Sequence, residues 1–347
     1  MKAVVMHGPG DVRVETVADP TRAPGEALLR VRRIGLCGTD MNSWRGRNPL
    51  VSFPRIPGHE IAATIVELDT DHPPHLSPGT DVTLSPYNSC GRCSACRNGR
   101  SNACRNNETL GVQRDGALAE YVSIPANKLY AAQLNLEELC LVEPLTVGCH
   151  AVARAQVTSK DVVAIFGCGG VGLGAVAASA FRGATTVAID IDDRKLAIAS
   201  RAGAAHLIHS QRQNPAEVLA ELSGGDGPDV VIEAVGLAET FRAAVELVAF
   251  TGRVVYIGYA KEPVTYETRL FVQKELNILG ARNAIPEDFR QAIQMLEQHR
   301  FPVDAAISTL APMDQTPELL QAWSVDPGRF TKIMITLDQE TPAKPFE

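Results

Sequence analysis

The chain has 347 residues, room for roughly two domains at about 150 residues each. A hydrophobic fraction of 45%, a charged fraction of 21% and a net charge of -7 are those of a globular protein and argue against a binder of phosphate backbones, so nucleic acid is not an expected partner. The opening run MKAVVMHGPGDVRVE turns polar before an apolar segment reaches signal-peptide length, and the uncharged stretch 162–181 is broken by glycines and built of Val and Ala; a cytoplasmic chain with no membrane span is expected.

In chain order, residues 1–150 read as a β-rich, loop-heavy domain, with Pro and Gly punctuating short strands such as KAVVM, EALLRVRRIG and IAATIVEL. Cys37-Gly38-Thr39-Asp40 follows the second of these runs, and Gly58-His59-Glu60 follows a Pro-marked loop. Each alone is ordinary, since a single Cys most often packs and a His before a strand most often hydrogen-bonds. Together with Glu143 in VEPLTVGCH they can supply one thiolate, one imidazole and one or two carboxylates to an open, catalytic-type zinc site. Such an ion would stabilise an alkoxide near neutral pH; Thr39 is placed to accept the alcohol's proton, and Asp40 to orient His59 through its other ring nitrogen.

Within about 86–108, Cys90, Cys93, Cys96 and Cys104 form C-x2-C-x2-C-x7-C, a closed structural zinc pattern in which a short loop wraps the ion without a core. The competing readings are an iron–sulfur run, which wants its fourth Cys earlier and then Pro, and disulfides, which a cytosolic chain disfavours.

Residues 151–285 alternate β-branched runs with helical segments: VVAIF (162–166), TTVAID (185–190), AHLI (205–208), DVVIEA (229–234), RVVYIG (253–258) and LNILG (276–280). That spacing predicts right-handed crossovers and a doubly wound parallel sheet, making the chain α/β. Gly167-Cys-Gly169-Gly170-Val171-Gly172 after the first run is a G-x-G-x-x-G opening a small-residue helix: Gly167 for the turn, Gly169 for approach of a pyrophosphate, Gly172 for helix packing. Asp190 ends the next strand, where a carboxylate holds the adenosine ribose and repels a 2′-phosphate, so NAD is expected over NADP; the alternative is that Asp190 caps the helix DDRKLA. Lys195, Ile257, Gly258, Tyr259 and Ala281 complete the expected cofactor contacts. From 286 the chain gives an amphipathic PEDFRQAIQMLEQHR and a strand-like FTKIMITL, expected to return to the first domain.

In CGTD at 37–40, GHE at 58–60, the cysteine lobe, EPL at 143–145, GCGGVG at 167–172 and KELNILGAR at 274–282, and in their order, the chain resembles the medium-chain zinc alcohol dehydrogenase family, specifically its sorbitol, threonine and sugar-acid dehydrogenase branch. The resemblance implies a GroES-like catalytic domain split around a Rossmann domain, an active site in the cleft between them, and a homodimer or homotetramer. It places Cys37, His59 and Glu60 at the catalytic-zinc positions and Glu143 where many alcohol-active relatives have a cysteine, leaving the exchange between the two glutamates open. Asn42 stands where relatives commonly carry the relay's histidine and cannot titrate. The stretches that lie near substrate in the family hold Asn42, Trp44, Arg47, Arg114, Arg282 and Asn283. Several arginines can clamp a carboxylate, which points to an aldonate-like acid oxidised at a secondary hydroxyl, with a neutral polyol or an L-threonine-type substrate as the alternative. A zinc-free NADPH reductase would share the architecture without the metal residues, and a non-catalytic NAD-binding protein would keep only the glycines and Asp190.

Overall fold

The computed structural model describes residues 1–69 and 71–338; the last part of the expected C-terminal segment, 339–347, lies outside the described residues. The chain forms two compact units, one of Met1–Glu143 with Val303–Glu347, the other of Pro144–Pro302.

The first unit is built on a seven-stranded sheet. Its spine is the long strand Glu26–Leu36, whose side chains alternate between core and surface over much of its length, as a strand with one covered face requires. Glu60–Glu67 and Lys332–Thr336 pair antiparallel with it, and Tyr121–Pro125 pairs with its first half. Ile307–Pro312 extends the sheet on one side, and Asp81–Leu84 with Leu129–Ala131 on the other. Leu29, Ile34, Leu36, Ile61, Ile65, Leu84, Ile124, Ile333 and Ile335 fill the core beneath it. At the register point where Gly35 faces Glu60, a side chain at 35 would put its Cβ 1.9 Å from Glu60 Oε2. Glycine there leaves the glutamate room to lie buried.

The second unit carries a six-stranded parallel sheet in the order His206–His209, Thr185–Asp190, Val162–Phe166, Val230–Glu233, Arg253–Tyr256, Asn277–Gly280. This is the doubly wound order of a dinucleotide fold, with its reversal between Val162–Phe166 and Val230–Glu233. The central strands are apolar along nearly their whole length because helices cover both faces. Three of the expected strands begin a residue later, at His206, Val230 and Asn277, because Ala205, Asp229 and Leu276 belong to the segments that enter them.

The division between units differs from the boundaries at 150 and 285 expected from the sequence. The first division falls inside one helix, Leu136–Arg154, which includes Pro144. The second falls after the amphipathic helix Pro286–Glu297, which packs on the helix Gly170–Phe181 and ties its Asp288 to His150 at 2.8 Å, so that helix belongs to the second unit. The uncharged stretch 162–181 is a strand followed by a helix, and among the described residues no helix is long and apolar enough to cross a membrane.

Candidate metal centre and dinucleotide loop

The strand Glu26–Leu36 ends at Cys37, which caps the short helix Gly38–Trp44. Asp40, three residues on, turns its Oδ2 back to accept a hydrogen bond from the Cys37 N–H at 2.9 Å. That contact fixes the loop and buries the carboxylate. His59 and Glu60 enter the neighbouring strand, and register brings them beside Cys37: one donor atom from each of Cys37, His59 and Glu60 lies within 4.8 Å of the others. Thr39 holds its hydroxyl 3.6 Å from the Cys37 sulfur. Glu143 is buried nearby, its carboxylate accepting a hydrogen bond from the Tyr87 hydroxyl.

The electrostatics of the cluster favour an added cation. Burial works against a protonated His59, but the Cys37 sulfur, Asp40 and Glu143 outweigh it and hold the imidazole well above the ordinary histidine range. Burial also pushes the Asp40 and Glu143 carboxyls up, Glu60 adding to both. His59 Nδ1 and Asp40 Oδ1 stand 4.0 Å apart, each buried without a hydrogen-bond partner. Such a set holds more negative charge than its own cations neutralise, and one thiolate, one imidazole and carboxylates are the donors a zinc ion takes. The residues fit the metal.

Two members of the site went unread in the sequence. Lys332, on the C-terminal strand, lies across from Cys37 and donates to both oxygens of Glu60 at 2.6 Å and to the Leu36 carbonyl at 3.3 Å. Burial alone would lower this amine, but Glu60 and the Cys37 sulfur keep it above the ordinary lysine value. Glu60 therefore already faces one buried cation. Tyr87 is the second, its hydroxyl driven well above the usual phenol range by burial and by Glu143. A lysine amid apolar strand residues in FTKIMITL was the signal available for the first; for Tyr87 there was none.

In the cysteine lobe the sulfurs of Cys93 and Cys96 are 3.5 Å apart, those of Cys104 and Cys90 3.5 Å, and those of Cys93 and Cys104 3.8 Å. Four sulfurs bound tetrahedrally at about 2.3 Å stand about 3.8 Å from one another, so the loop has the dimensions of a zinc tetrathiolate. All eight cysteines are free, so no disulfide competes.

In the second unit the glycine loop sits at the end of Val162–Phe166, beside the sheet's reversal. Gly167 takes φ +91°, and a Cβ there would meet Val235. A Cβ at Gly172 would lie 1.8 Å from the Gly167 carbonyl oxygen, so the helix can sit this close to its loop only without a side chain. Above Gly169, by contrast, there is open space, and the helix begins beside it at Gly170 and Val171, where a helix's first N–H groups lack intrahelical partners. Asp190 is not the helix cap. Asp192 is, accepting from the Arg194 and Lys195 N–H groups, while Asp190 accepts from Cys168 N–H at 2.7 Å, Ile191 N–H at 2.7 Å and Asp192 N–H at 3.1 Å. Lys195 lies on the first turn of that helix, near enough for its charge to oppose the rise of the Cys168 thiol. Ile257 and Gly258 donate to the Glu233 carbonyl, Tyr259 beyond them is exposed, and Ala281 is buried with its N–H on the Tyr256 carbonyl.

The expected substrate residues divide between the units. Asn42 is exposed on the helix Gly38–Trp44, Trp44 packs on the first unit's core, Arg47 is exposed in the next turn, and Arg114 is half-buried in the loop 111–116. Arg282 and Asn283 belong to the second unit, where Asn283 takes φ +52°.

Residues 23–134 match the family described as alcohol dehydrogenase GroES-like domain, and residues 170–298 the family described as zinc-binding dehydrogenase. The chain belongs to the zinc-dependent alcohol dehydrogenase family. Among its relatives in this family, an L-galactonate-5-dehydrogenase of Escherichia coli K12 is 31% identical over 338 residues, 97% of this chain and 99% of the relative. An erythritol/L-threitol dehydrogenase of Mycolicibacterium smegmatis is 33% identical over 333 residues, covering 91% and 92%. A putative zinc-binding dehydrogenase from Sinorhizobium meliloti, solved bound to NADP, superposes with a TM-score of 0.89 at 30% identity, covering 96% of this chain and 98% of that one.

Proposed function

We propose that this dehydrogenase removes a hydride from a secondary alcohol of a polyhydroxylated substrate, an aldonate-like sugar acid foremost, and delivers it to NAD. The convergence of Cys37, His59 and Glu60 donor atoms within 4.8 Å carries the reading, because hydride loss requires a stabilised alkoxide. Zinc at these residues would lower the pKa of a bound alcohol, and NAD would accept the hydride. The chain's own groups do the rest. Cys37 and His59 would ligate, with Glu60 and Glu143 as alternating carboxylates; the engagement of Glu60 by Lys332 favours Glu143 whenever the lysine keeps its hold. Asp40 steadies the Cys37 loop and faces His59 Nδ1. Thr39 accepts a hydrogen bond from the alcohol and passes its own proton on as it receives the alcohol's, and because Asn42 cannot titrate, the relayed proton leaves by way of water. In the four-cysteine lobe, Cys90, Cys93, Cys96 and Cys104 would hold a second, structural zinc.

For the cofactor, Asp190 supports NAD. Its carboxylate gathers three N–H donors at the strand end, where a 2′-phosphate would meet like charge. The acid reading draws on Arg114, which forms no ion pair among the described residues, and on the L-galactonate-5-dehydrogenase relative; the erythritol/L-threitol relative favours a neutral polyol as the second reading. A homodimer or homotetramer belongs to the same proposal, since the strand Asn277–Gly280 leaves the six-stranded sheet with an open edge. Light scattering checks it.

The deciding experiment is a panel of sugar acids and alditols with NAD and NADP, run beside zinc quantification on wild type and Cys37→Ser. Two zinc ions per chain, oxidation with NAD, and loss of one zinc and of turnover with NAD binding intact in Cys37→Ser are expected. NAD binding without oxidation of any alcohol would show a non-catalytic protein. Activity on neutral alditols alone would remove the acid.

A further inference from the structure

Lys128 closes the short turn Ala126–Lys128 and reaches back across the unit, its amine donating to the Tyr87 carbonyl and to Asn88 Oδ1. Both acceptors are neutral. The amine is half-buried and, among the described residues, forms no ion pair. Burial, with the charge of Arg114 added, lowers it to about 8. Arg114 likewise forms no ion pair among the described residues: Asp115 beside it is taken by Arg55 at 3.0 Å and the Ile56 N–H at 3.1 Å. Glu108, opposite Asn88 in the two-stranded ladder, bonds neither cation.

Two cations partly withdrawn from water, repelling each other and bonded to no acid among the described residues, cost stability unless an anion joins them. Tyr87 shows where the pair lies. Its carbonyl holds Lys128 and its hydroxyl holds Glu143, so Lys128 stands one tyrosine's length from the candidate metal centre, and Arg114 is held on the same side of the unit by its backbone bridge to Leu110, whose N–H bonds the carbonyl of Pro86 next to Tyr87.

We propose that Lys128 and Arg114 form an anion subsite that takes the terminal carboxylate of a sugar acid whose hydroxyl reaches the metal centre. This deepens the sugar-acid reading and rests on it. Arg114 offers a planar fork to the two oxygens and Lys128 a point charge, already oriented by its two neutral acceptors. A lysine serving only as a strut for residues 87–88 would affect charged and neutral ligands alike.

The test is calorimetric binding to the zinc-loaded full chain with NADH present, using L-galactonate, its neutral counterpart galactitol, and galactitol 1-phosphate. Wild type is expected to hold L-galactonate more tightly than galactitol. Lys128→Met and Arg114→Met should each weaken L-galactonate about tenfold or more, with galactitol changed by less than about twofold, and Lys128→Arg should restore much of the loss. Equal losses on both sugars, no loss, or no preference in wild type overturns the subsite; a preference for the phosphate ester over L-galactonate overturns the carboxylate. The readout separates this proposal from the one it rests on. Selective binding through the pair without oxidation of either sugar defeats the dehydrogenase reading alone, and oxidation of L-galactonate indifferent to Lys128→Met defeats the subsite alone.

Discussion

Replacing Lys332 by Met leaves the Glu60 carboxylate buried beside the Cys37 sulfur with no cation of its own. In wild type both carboxylate oxygens receive hydrogen bonds from Lys332 at 2.6 Å, with the lysine and glutamate side chains 8% and 1% exposed, so water cannot substitute. Breaking such a pair from one side costs about 3–5 kcal/mol. With a urea slope of about 2–3 kcal/mol per molar for a unit of this size, the first unit's midpoint should fall by about 1–2 M in zinc-free protein. The two tryptophans, Trp44 and Trp323, both pack on the first unit's core, so their fluorescence reports this unit alone. Glu60→Gln with Lys332→Met should recover most of the loss, because removing both charges leaves neither orphaned. Zinc should also recover part of the loss in the single variant, supplying the positive charge the lysine gave. A single variant within about 0.3 M of wild type, or a double variant as weak as the single, would refute the claim that this pair carries charge in the core.

Gly172→Ala should raise the NAD dissociation constant about tenfold or more, since its Cβ would lie 1.8 Å from the Gly167 carbonyl, while the tryptophan melt of the other unit stays unchanged; equal affinity would mean the loop can shift freely. Tyr87→Phe removes the donor to buried Glu143 and should lower the urea midpoint of the same unit, at about 1.5–3 kcal/mol for a hydrogen bond to a charged group; no change would mean the hydroxyl is incidental. In zinc-stripped protein, Cys93, lowered to about 6 by the N–H groups of Cys96 and Arg105, should alkylate at pH 7 well before Cys96, which burial raises to about 11. As the pH falls through 6 the Cys93 sulfur gains its proton and the preference should fade, and zinc should protect both. Equal labelling of the two at pH 7 would contradict the assignment.

The parallel sheet was legible because its strands are continuous β-branched runs at helix-spaced intervals, and the cysteine lobe because four ligands in fifteen residues leave few other uses. Cys37, His59 and Glu60 were legible only as a set, and their meeting depends on the pairing of Glu26–Leu36 with Glu60–Glu67. The division between units was misread for a physical reason. A helix runs through it, so no glycine-rich or polar linker marks the place, and its proline sits within a helical stretch that otherwise reads as continuous. The amphipathic segment at 286 looked like the start of a new region, but its apolar face, with Phe289, Ala292, Met295 and Leu296, packs into the unit it follows. Lys332 and Tyr87 matter through partners far away in the chain, 272 and 56 positions off, and no local pattern carries such pairings.

The distance between Glu60 and Lys332 along the chain also sets an order in time. During synthesis the strand Glu26–Leu36 and its partner Glu60–Glu67 leave the ribosome early, but the strand that flanks them on the other side, Lys332–Thr336, is translated after the whole of the second unit. Until it arrives, a growing chain exposes an unpaired strand edge and holds a carboxylate with no lysine to answer it. Zinc captured early would then do more than prepare for chemistry: it would act as a placeholder for the late lysine while the protein is still being made.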